Sequence, residues 1–508
     1  MIRLTALATI AFTTVLPQSA AAGDARFDYF SYAGRSQERI TLGPRQYRNP
    51  ILSGYAPDPS IVRVGQDYYL VNSSFTNFPG LPIYHSRDLV TWRQIGNAIS
   101  RFGQFDFSNQ WVSGGIMAPD ISYHNGTFYI VSTNNRNFVI TAKSPQGPWS
   151  DPVWLDFDGI DPSLFWDEDG TAYIVNNGPP DGPAKFPGHR VLWLQAFDPV
   201  AKTTVGPRIP LVGGGENPPH LFWPEGPHIF KKDGWYYLIA AEGGTGPDEK
   251  HSQIVFRSRM IGGPYEAFKG NPILTQADLP ATRPHPVEAA GHAKFVTTPS
   301  GDWWAVFLAA RAYAPTFYNI GRETYLLPVS WSADGWPTIL PHGTAIPFAL
   351  DKPASAGVTE PGAPQNGDFS YVDNFDEKRL GLGWMGIRVP AKSFYDLSEG
   401  RLILAPGHRF GDLSAAPAFI ARKQAHAKAE VSTALDYEPD HEGDRAGLVA
   451  LQSDNAYLFL GVIKSQGKRQ IAVMRRETAG DPQAGKAVSS VVLPRGARTV
   501  RLKLTIDG

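Results

Sequence analysis

The chain of 508 residues contains no cysteine. Disulfides are therefore excluded, and stability must come from the large core that a chain of this length is able to bury. Charge of either sign is not in excess: the formal net charge is −1 at pH 7. That balance leaves no electrostatic footprint for nucleic acid or for an anionic membrane surface. Beyond the N-terminal leader no apolar run is long enough to span a bilayer. Helical periodicity of useful length is also missing, so strands and turns must build the fold.

The leader itself is informative. Arg3 supplies a positive n-region, Leu4–Leu16 an apolar h-region, and Ser19-Ala20-Ala21-Ala22 a small-residue cleavage site. Residues 1–22 thus read as a secretory signal peptide, and the expectation is export to a periplasm or the medium. No cysteine follows the h-region to take a lipid anchor. Aromatics are plentiful, with 13 Trp, 20 Tyr and 28 Phe; most are expected in the core, and a minority as flat platforms for sugar faces.

Hairpin-like units recur along the chain. They begin at Asp58 (DPSIVRVGQDYYLVNSS), Asp120 (DISYHNGTFYIVST), Asp161 (DPSLFWDEDGTAYIVNN), Glu225 (EGPHIFKKDGWYYLIAAE) and His292 (HAKFVTTPSGDWWAVFLAA). Each has an apolar run, a turn with glycine, and a second run rich in Tyr, Trp, Val and Ile. Repeats of this size made of strands and turns predict an all-β, five-bladed β-propeller over residues 49–350, after a lead-in over 23–48. Residues 351–372 are rich in Pro, Gly and Ala and read as a linker. From 373 to 508 alternating runs at Arg401–Ala405, Ala429–Tyr437, Ala446–Leu451, Tyr457–Ile463, Gln470–Arg475 and Thr499–Ile506 predict an antiparallel β-sandwich. The sequence stops at Ile506-Asp507-Gly508 as a turn begins, so the sandwich is expected to be incomplete, with an open edge.

The organising stretch is Tyr55–Ser74, in which Asp58 stands between Pro57 and Pro59. A lone Asp beside proline is usually a turn residue. In a propeller, however, the first strand of each blade runs along the central channel, and residues leading those strands converge. The expected converging set is Asp58, Asp120, Asp161, Glu225 and His292. Like charges at close range split carboxyl pKa values. One carboxyl then serves as general acid while another stays a base, the division of labour that glycoside hydrolysis needs.

These units resemble glycoside hydrolase family 43, which includes β-xylosidases and α-L-arabinofuranosidases. The residues that carry the resemblance are Tyr55-Ala56-Pro57-Asp58-Pro59-Ser60, Asp161-Pro162-Ser163-Leu164-Phe165, Glu225-Gly226-Pro227-His228-Ile229, Gly291-His292-Ala293 and Gly321-Arg322-Glu323-Thr324. Phe75–Gly80 and Ile83-Tyr84-His85-Ser86 match as well. The C-terminal sandwich resembles the concanavalin-like jelly roll of the longer members. The resemblance implies inversion at the anomeric carbon, with Asp58 as general base, Glu225 as general acid and Asp161 raising and orienting the acid. It places His292, Arg322, Phe78 and Met117 at the substrate; Met117 stands where many members have a Trp, a departure that bears on sugar preference.

The implied activity is exo-acting release of terminal β-D-xylosyl or α-L-arabinofuranosyl residues from hemicellulose-derived glycans. An endo-acting arabinan or xylan hydrolase and a non-catalytic carbohydrate-binding propeller are the alternatives, the latter disfavoured by retention of the full carboxyl trio. The partner is an oligosaccharide or polysaccharide, and no cofactor is required. An axial Ca²⁺ bound through oxygen ligands and water would be accessory, because no dense oxygen-ligand loop is present.

Overall fold

The computed structural model describes residues 5–10, 23–213, 221–246, 250–314, 317–354, 357–360, 362–390, 392–408 and 410–508. Apart from Thr5–Ile10, the expected leader lies outside them. Strands and turns make up the described residues, as the missing helical periodicity predicts.

The first half forms five sheets of successive antiparallel strands. Their first strands are Ser60–Val64, Met117–His124, Ile160–Trp166, Glu225–Lys232 and Val287–Thr297. These touch one another in cyclic order, and the fifth closes on the first. Each pairs with the strand after a tight turn whose glycine (Gly65, Gly126, Gly170, Gly234 or Gly301) has positive φ, a conformation that only glycine adopts without strain. Apolar residues of neighbouring sheets fill the space between them: Leu81, Ile83, Ile121, Ile130 and Phe138 are all fully buried in one such layer.

The ring is sealed near its chain ends. Gln46–Arg48 pairs with Ala349–Asp351, and Leu52 bridges Thr324 on the outer strand of the fifth sheet. The same sheet is pinned by Arg311, whose guanidinium takes Glu323 through two bonds at 2.6 and 2.8 Å and reaches Glu38 at 2.9 Å, all three side chains being buried. Bidentate geometry with both carboxylates satisfied is what a buried charge cluster requires.

The second half is a sandwich. One sheet contains Ala25–Arg35, Phe369–Asp373, Tyr395–Ser398, Arg401–Leu404, Lys428–Asp436 and Thr499–Asp507, with Thr5–Ile10 paired to Thr499–Asp507. The other is Arg445–Ser453, Ala456–Ser465, Lys468–Arg476 and Lys486–Val492. Leu435, Val462, Val500 and Leu502 are fully buried between them.

Two boundaries differ from the sequence reading. The lead-in over 23–48 contains a strand, Ala25–Arg35, that lies between Lys428–Asp436 and Arg401–Leu404 in the sandwich. Local pattern could not reveal a partner some four hundred residues away. The proline-rich linker is also tied down at points: Thr359 is buried, its hydroxyl bonded by Arg87 N and donating to Asp88. Its end becomes strand Phe369–Asp373.

Candidate active site

Each first strand enters the ring through a kink. Asp58, Ala118, Asp161, Gly226, Ala289 and His292 all have φ between +40° and +55°. The ladder shifts beside the last five, between Val131/Thr133, Ile160/Ser163, Glu225/His228, Glu288/Gly291 and Gly291/Lys294. These are β-bulges, which bend a strand and re-aim its side chains. A left-handed non-glycine residue costs about 1–3 kcal/mol, and such strain collects at functional sites.

The register corrects the converging set. Ser60, Asp120, Ser163, His228 and Lys294 pair with Val71, Val131, Val175, Ile239 and Val306, equivalent positions of the five hairpins. Two residues earlier, at the kinks themselves, stand Asp58, Ala118, Asp161, Gly226 and His292. Asp120 therefore belongs to a second ring, two residues further along, and Glu225 precedes its ring position by one. The repeated dipeptides Asp58-Pro59, Ala118-Pro119, Asp161-Pro162 and Gly226-Pro227 carry this alignment in the sequence, and matching acidic residues instead obscured it.

The second ring is a structural plug. The Lys294 ammonium donates to Asp120 Oδ1, to Ser60 Oγ at 3.0 Å and to Ile121 O at 2.8 Å. Asp120 also accepts from Ser60 Oγ at 2.9 Å and from Leu164 N at 3.0 Å. The oxygens an axial Ca²⁺ would need are thus spent on an ammonium. Among the described residues no three His, Asp or Glu side chains gather as metal ligands. Replacing Lys294 by Met strands the buried Asp120 and is expected to cost about 3–5 kcal/mol of stability. Urea unfolding measures it, and an unchanged midpoint would show that the pair carries no structural weight.

The first ring holds the reactive groups. Asp58 is 3% exposed. Its Oδ1 accepts from Arg322 Nη1 at 2.7 Å and its Oδ2 from Ser73 Oγ, which in turn accepts from Ala118 N at 2.6 Å. Burial pushes the Asp58 carboxyl up, but Arg322, His292 and the Ser73 hydroxyl outweigh it, and its pKa falls below the ordinary Asp value. Arg322 is therefore the group that keeps Asp58 ionised; its guanidinium also lies 5.5 Å over the Phe75 ring.

Glu225 behaves oppositely. Burial, then the neighbouring Asp161 and Asp58, push it up to about 7, against the smaller pull of His292 and Arg322. Its Oε2 accepts from the Trp223 indole at 3.0 Å. Asp161, 6% exposed, accepts from Gly226 N at 3.1 Å, so it fixes the backbone beside the acid as well as raising the acid's pKa. His292 lies 3.5 Å from Asp161 Oδ2. Burial alone lowers its pKa, but Asp161, Asp58 and Glu225 together lift it to about 9, making it a cation between three carboxyls at neutral pH. Gly226 makes room for it: a Cβ there would fall 2.6 Å from the imidazole.

Five of the seven expected site residues are thus placed, with Asp58, Asp161, Glu225, His292 and Arg322 in one electrostatic cluster. Met117 is half-buried at the head of its strand, one residue before the Ala118 N–H that supports Ser73. Phe78 is corrected: it is buried in the core, packs on Phe102 at 5.7 Å and pairs through its backbone with Gly386 of the sandwich. Its side chain thus fills the ring core and its backbone joins the two domains. Sequence reasoning missed Ser73 and Trp223. Trp223 had a signal, standing two residues before Glu225; Ser73 had none.

The sandwich reaches the same end of the ring. Arg388 N donates to Thr76 O at 2.7 Å and Arg388 Nε to Gln110 O at 3.0 Å. A cavity of about 1290 Å³ has Tyr55, Tyr318 and Arg322 from the ring and Lys423, Gln424 and Phe419 from the sandwich in its wall.

Comparison with known proteins agrees with this geometry. The profile of Glycosyl hydrolases family 43 matches residues 47–337, and that of the Beta xylosidase C-terminal Concanavalin A-like domain matches 372–508. The chain is 37% identical over 487 residues to a non-reducing end alpha-L-arabinofuranosidase of Bacteroides ovatus, covering 91% of this chain and 86% of that one. It is 37% identical over 438 residues to a xylosidase/arabinosidase of Butyrivibrio fibrisolvens, covering 84% and 81%. A crystal structure of a GH43_12 protein from capybara gut metagenome superposes with a TM-score of 0.85 at 35% identity, covering 95% of this chain and 91% of that one.

Proposed function

The chain belongs to family 43 of the glycosyl hydrolases, and from that premise we propose that it removes terminal β-D-xylosyl or α-L-arabinofuranosyl residues from hemicellulose-derived glycans, with inversion. The observation that carries this reading is the opposed tuning of two carboxyls in one cluster. Arg322 and Ser73 hold Asp58 ionised, while burial and Asp161 keep Glu225 protonated up to about pH 7. Asp58 takes a proton from water as that water attacks the anomeric carbon. Glu225 gives its proton to the departing glycosidic oxygen. Asp161 holds Gly226 N–H and so the acid's backbone. No metal enters the reaction in this reading.

Exo action is supported by the relative named a non-reducing end alpha-L-arabinofuranosidase. Both sugars are kept because both names occur among the relatives. The leader over 1–22 supports export, which suits substrates too large to enter a cell freely.

Aryl β-xylosides and α-L-arabinofuranosides, followed by proton NMR of the first product anomer, test the proposal. The expected product is the inverted anomer, and net retention or no turnover would overturn it. The pH profile of kcat/KM should fall as pH rises through about 7, where Glu225 loses its proton. It should also fall below the ordinary Asp range, where Asp58 gains one.

A further inference from the structure

His251 takes no part in the mechanism above, yet its position is built with care. It stands just before strand Ser252–Ser258, 1% exposed. Its Nδ1 lies 2.9 Å from Ala289 O. A carbonyl only accepts, so Nδ1 carries the hydrogen and Nε2 presents a bare lone pair. That Nε2 is buried without a hydrogen-bond partner and lies 3.9 Å from Glu225 Oε1. The backbone has been shaped around the ring: a Cβ on Gly291 would fall 2.6 Å from His251 Cε1, and Ala289, which supplies the carbonyl, is held at φ +55°. A buried acceptor left unpaired costs free energy. The protonated carboxyl of Glu225, 3.9 Å away, is a group able to satisfy it.

The other oxygen of that carboxyl is already assigned. Trp223 Nε1–H donates to Oε2, which favours Oε2 as the carbonyl oxygen, the stronger acceptor, and Oε1 as the oxygen that carries the proton. The terminal torsion of a Glu side chain is broad, so a modest rotation brings Oε1–H within bonding reach of His251.

We propose that His251 is a positioning residue for the general acid: between turnovers its Nε2 accepts a hydrogen bond from Glu225 Oε1–H and so stores the proton on the oxygen that protonates the leaving group. Burial keeps the imidazole neutral, with its pKa lowered to about 3, so it serves as acceptor throughout the working range. This rests on Glu225 being the acid. The charged groups that face Glu225 are Asp161 and Asp58, which raise it, and His292 and Arg322, which lower it; those that face His251 are His292, Arg322 and Asp58.

The test compares His251→Ala and His251→Gln with the parent on an unactivated oligosaccharide and on an aryl glycoside with a good leaving group. For His251→Ala, kcat on the oligosaccharide should fall about tenfold, the value of one buried hydrogen bond. The aryl glycoside should be nearly unaffected. The alkaline limb of kcat/KM should move to lower pH by about one unit, because the acid form has lost its acceptor. His251→Gln, which can set an amide oxygen where Nε2 lies, should restore part of both. Equal losses on the two substrates with an unmoved alkaline limb would overturn the proposal, since a merely structural role predicts that pattern. Glu225→Ala run alongside separates the two levels: if it too shows no leaving-group dependence, the acid assignment fails, and if it alone does, only the role of His251 fails.

Discussion

Glu225→Ala is expected to lower kcat/KM on natural oligosaccharides by about 10²–10⁴-fold while leaving activated aryl glycosides far less affected. The asymmetry follows from where the proton is needed. A sugar hydroxyl is a poor leaving group and departs only as it is protonated; a nitrophenolate leaves without help. The structure supplies the proton at neutral pH, because burial and the Asp161 and Asp58 carboxylates push Glu225 up to about 7. Truncation should also abolish the alkaline limb of the pH profile on the aryl substrate. Folding is not at stake, since among the described residues the Glu225 side chain holds one indole bond, at 3.0 Å, and lies 3.9 Å from the neutral His251. Steady-state kinetics on the two substrate classes decides it, and equal losses on both would remove Glu225 from the acid role.

The hairpins were legible because their signal is local: two β-rich runs and a glycine turn lie within about twenty residues. The sandwich strand Ala25–Arg35 was not, because its partners Lys428–Asp436 and Arg401–Leu404 are non-local and its own pattern does not alternate cleanly. At the site the acids themselves were readable, but not their depth. The ladders shift beside Ala118, Asp161 and Gly226; Asp120 lies on the turn side of its shift, whereas Asp161 lies within its own. Matching acid to acid therefore put Asp120 beside Asp58, where the fold puts Ala118. Lys294 passed unnoticed for a related reason: a lysine two residues after His292 looks like surface charge until its Nζ is seen against Asp120, Ser60 and Ile121 O. Phe78 misled because a single aromatic in a loop motif does not announce that its ring fills the core.

Asp58→Asn should remove at least about 10³-fold of kcat on every substrate, with KM little changed. Unlike the acid, the base serves the attacking water, whose activation is needed whatever group departs. The amide keeps the size of the carboxylate and an oxygen able to take the Arg322 Nη1 bond at 2.7 Å, so the fold and the sugar-facing surface should persist. Titration gives an independent check. Asp58 is one of the anions that raise Glu225 and His292, and its charge is matched by Arg322. Neutralising it leaves the Arg322 cation uncompensated beside the acid. Whatever residual activity remains should then lose its alkaline limb below the parent's pH of about 7, as Glu225 ionises more readily. Calorimetric binding of the product sugar separates loss of chemistry from loss of the site: retained binding with lost turnover fits the base, and undiminished turnover would assign the water's proton to another group.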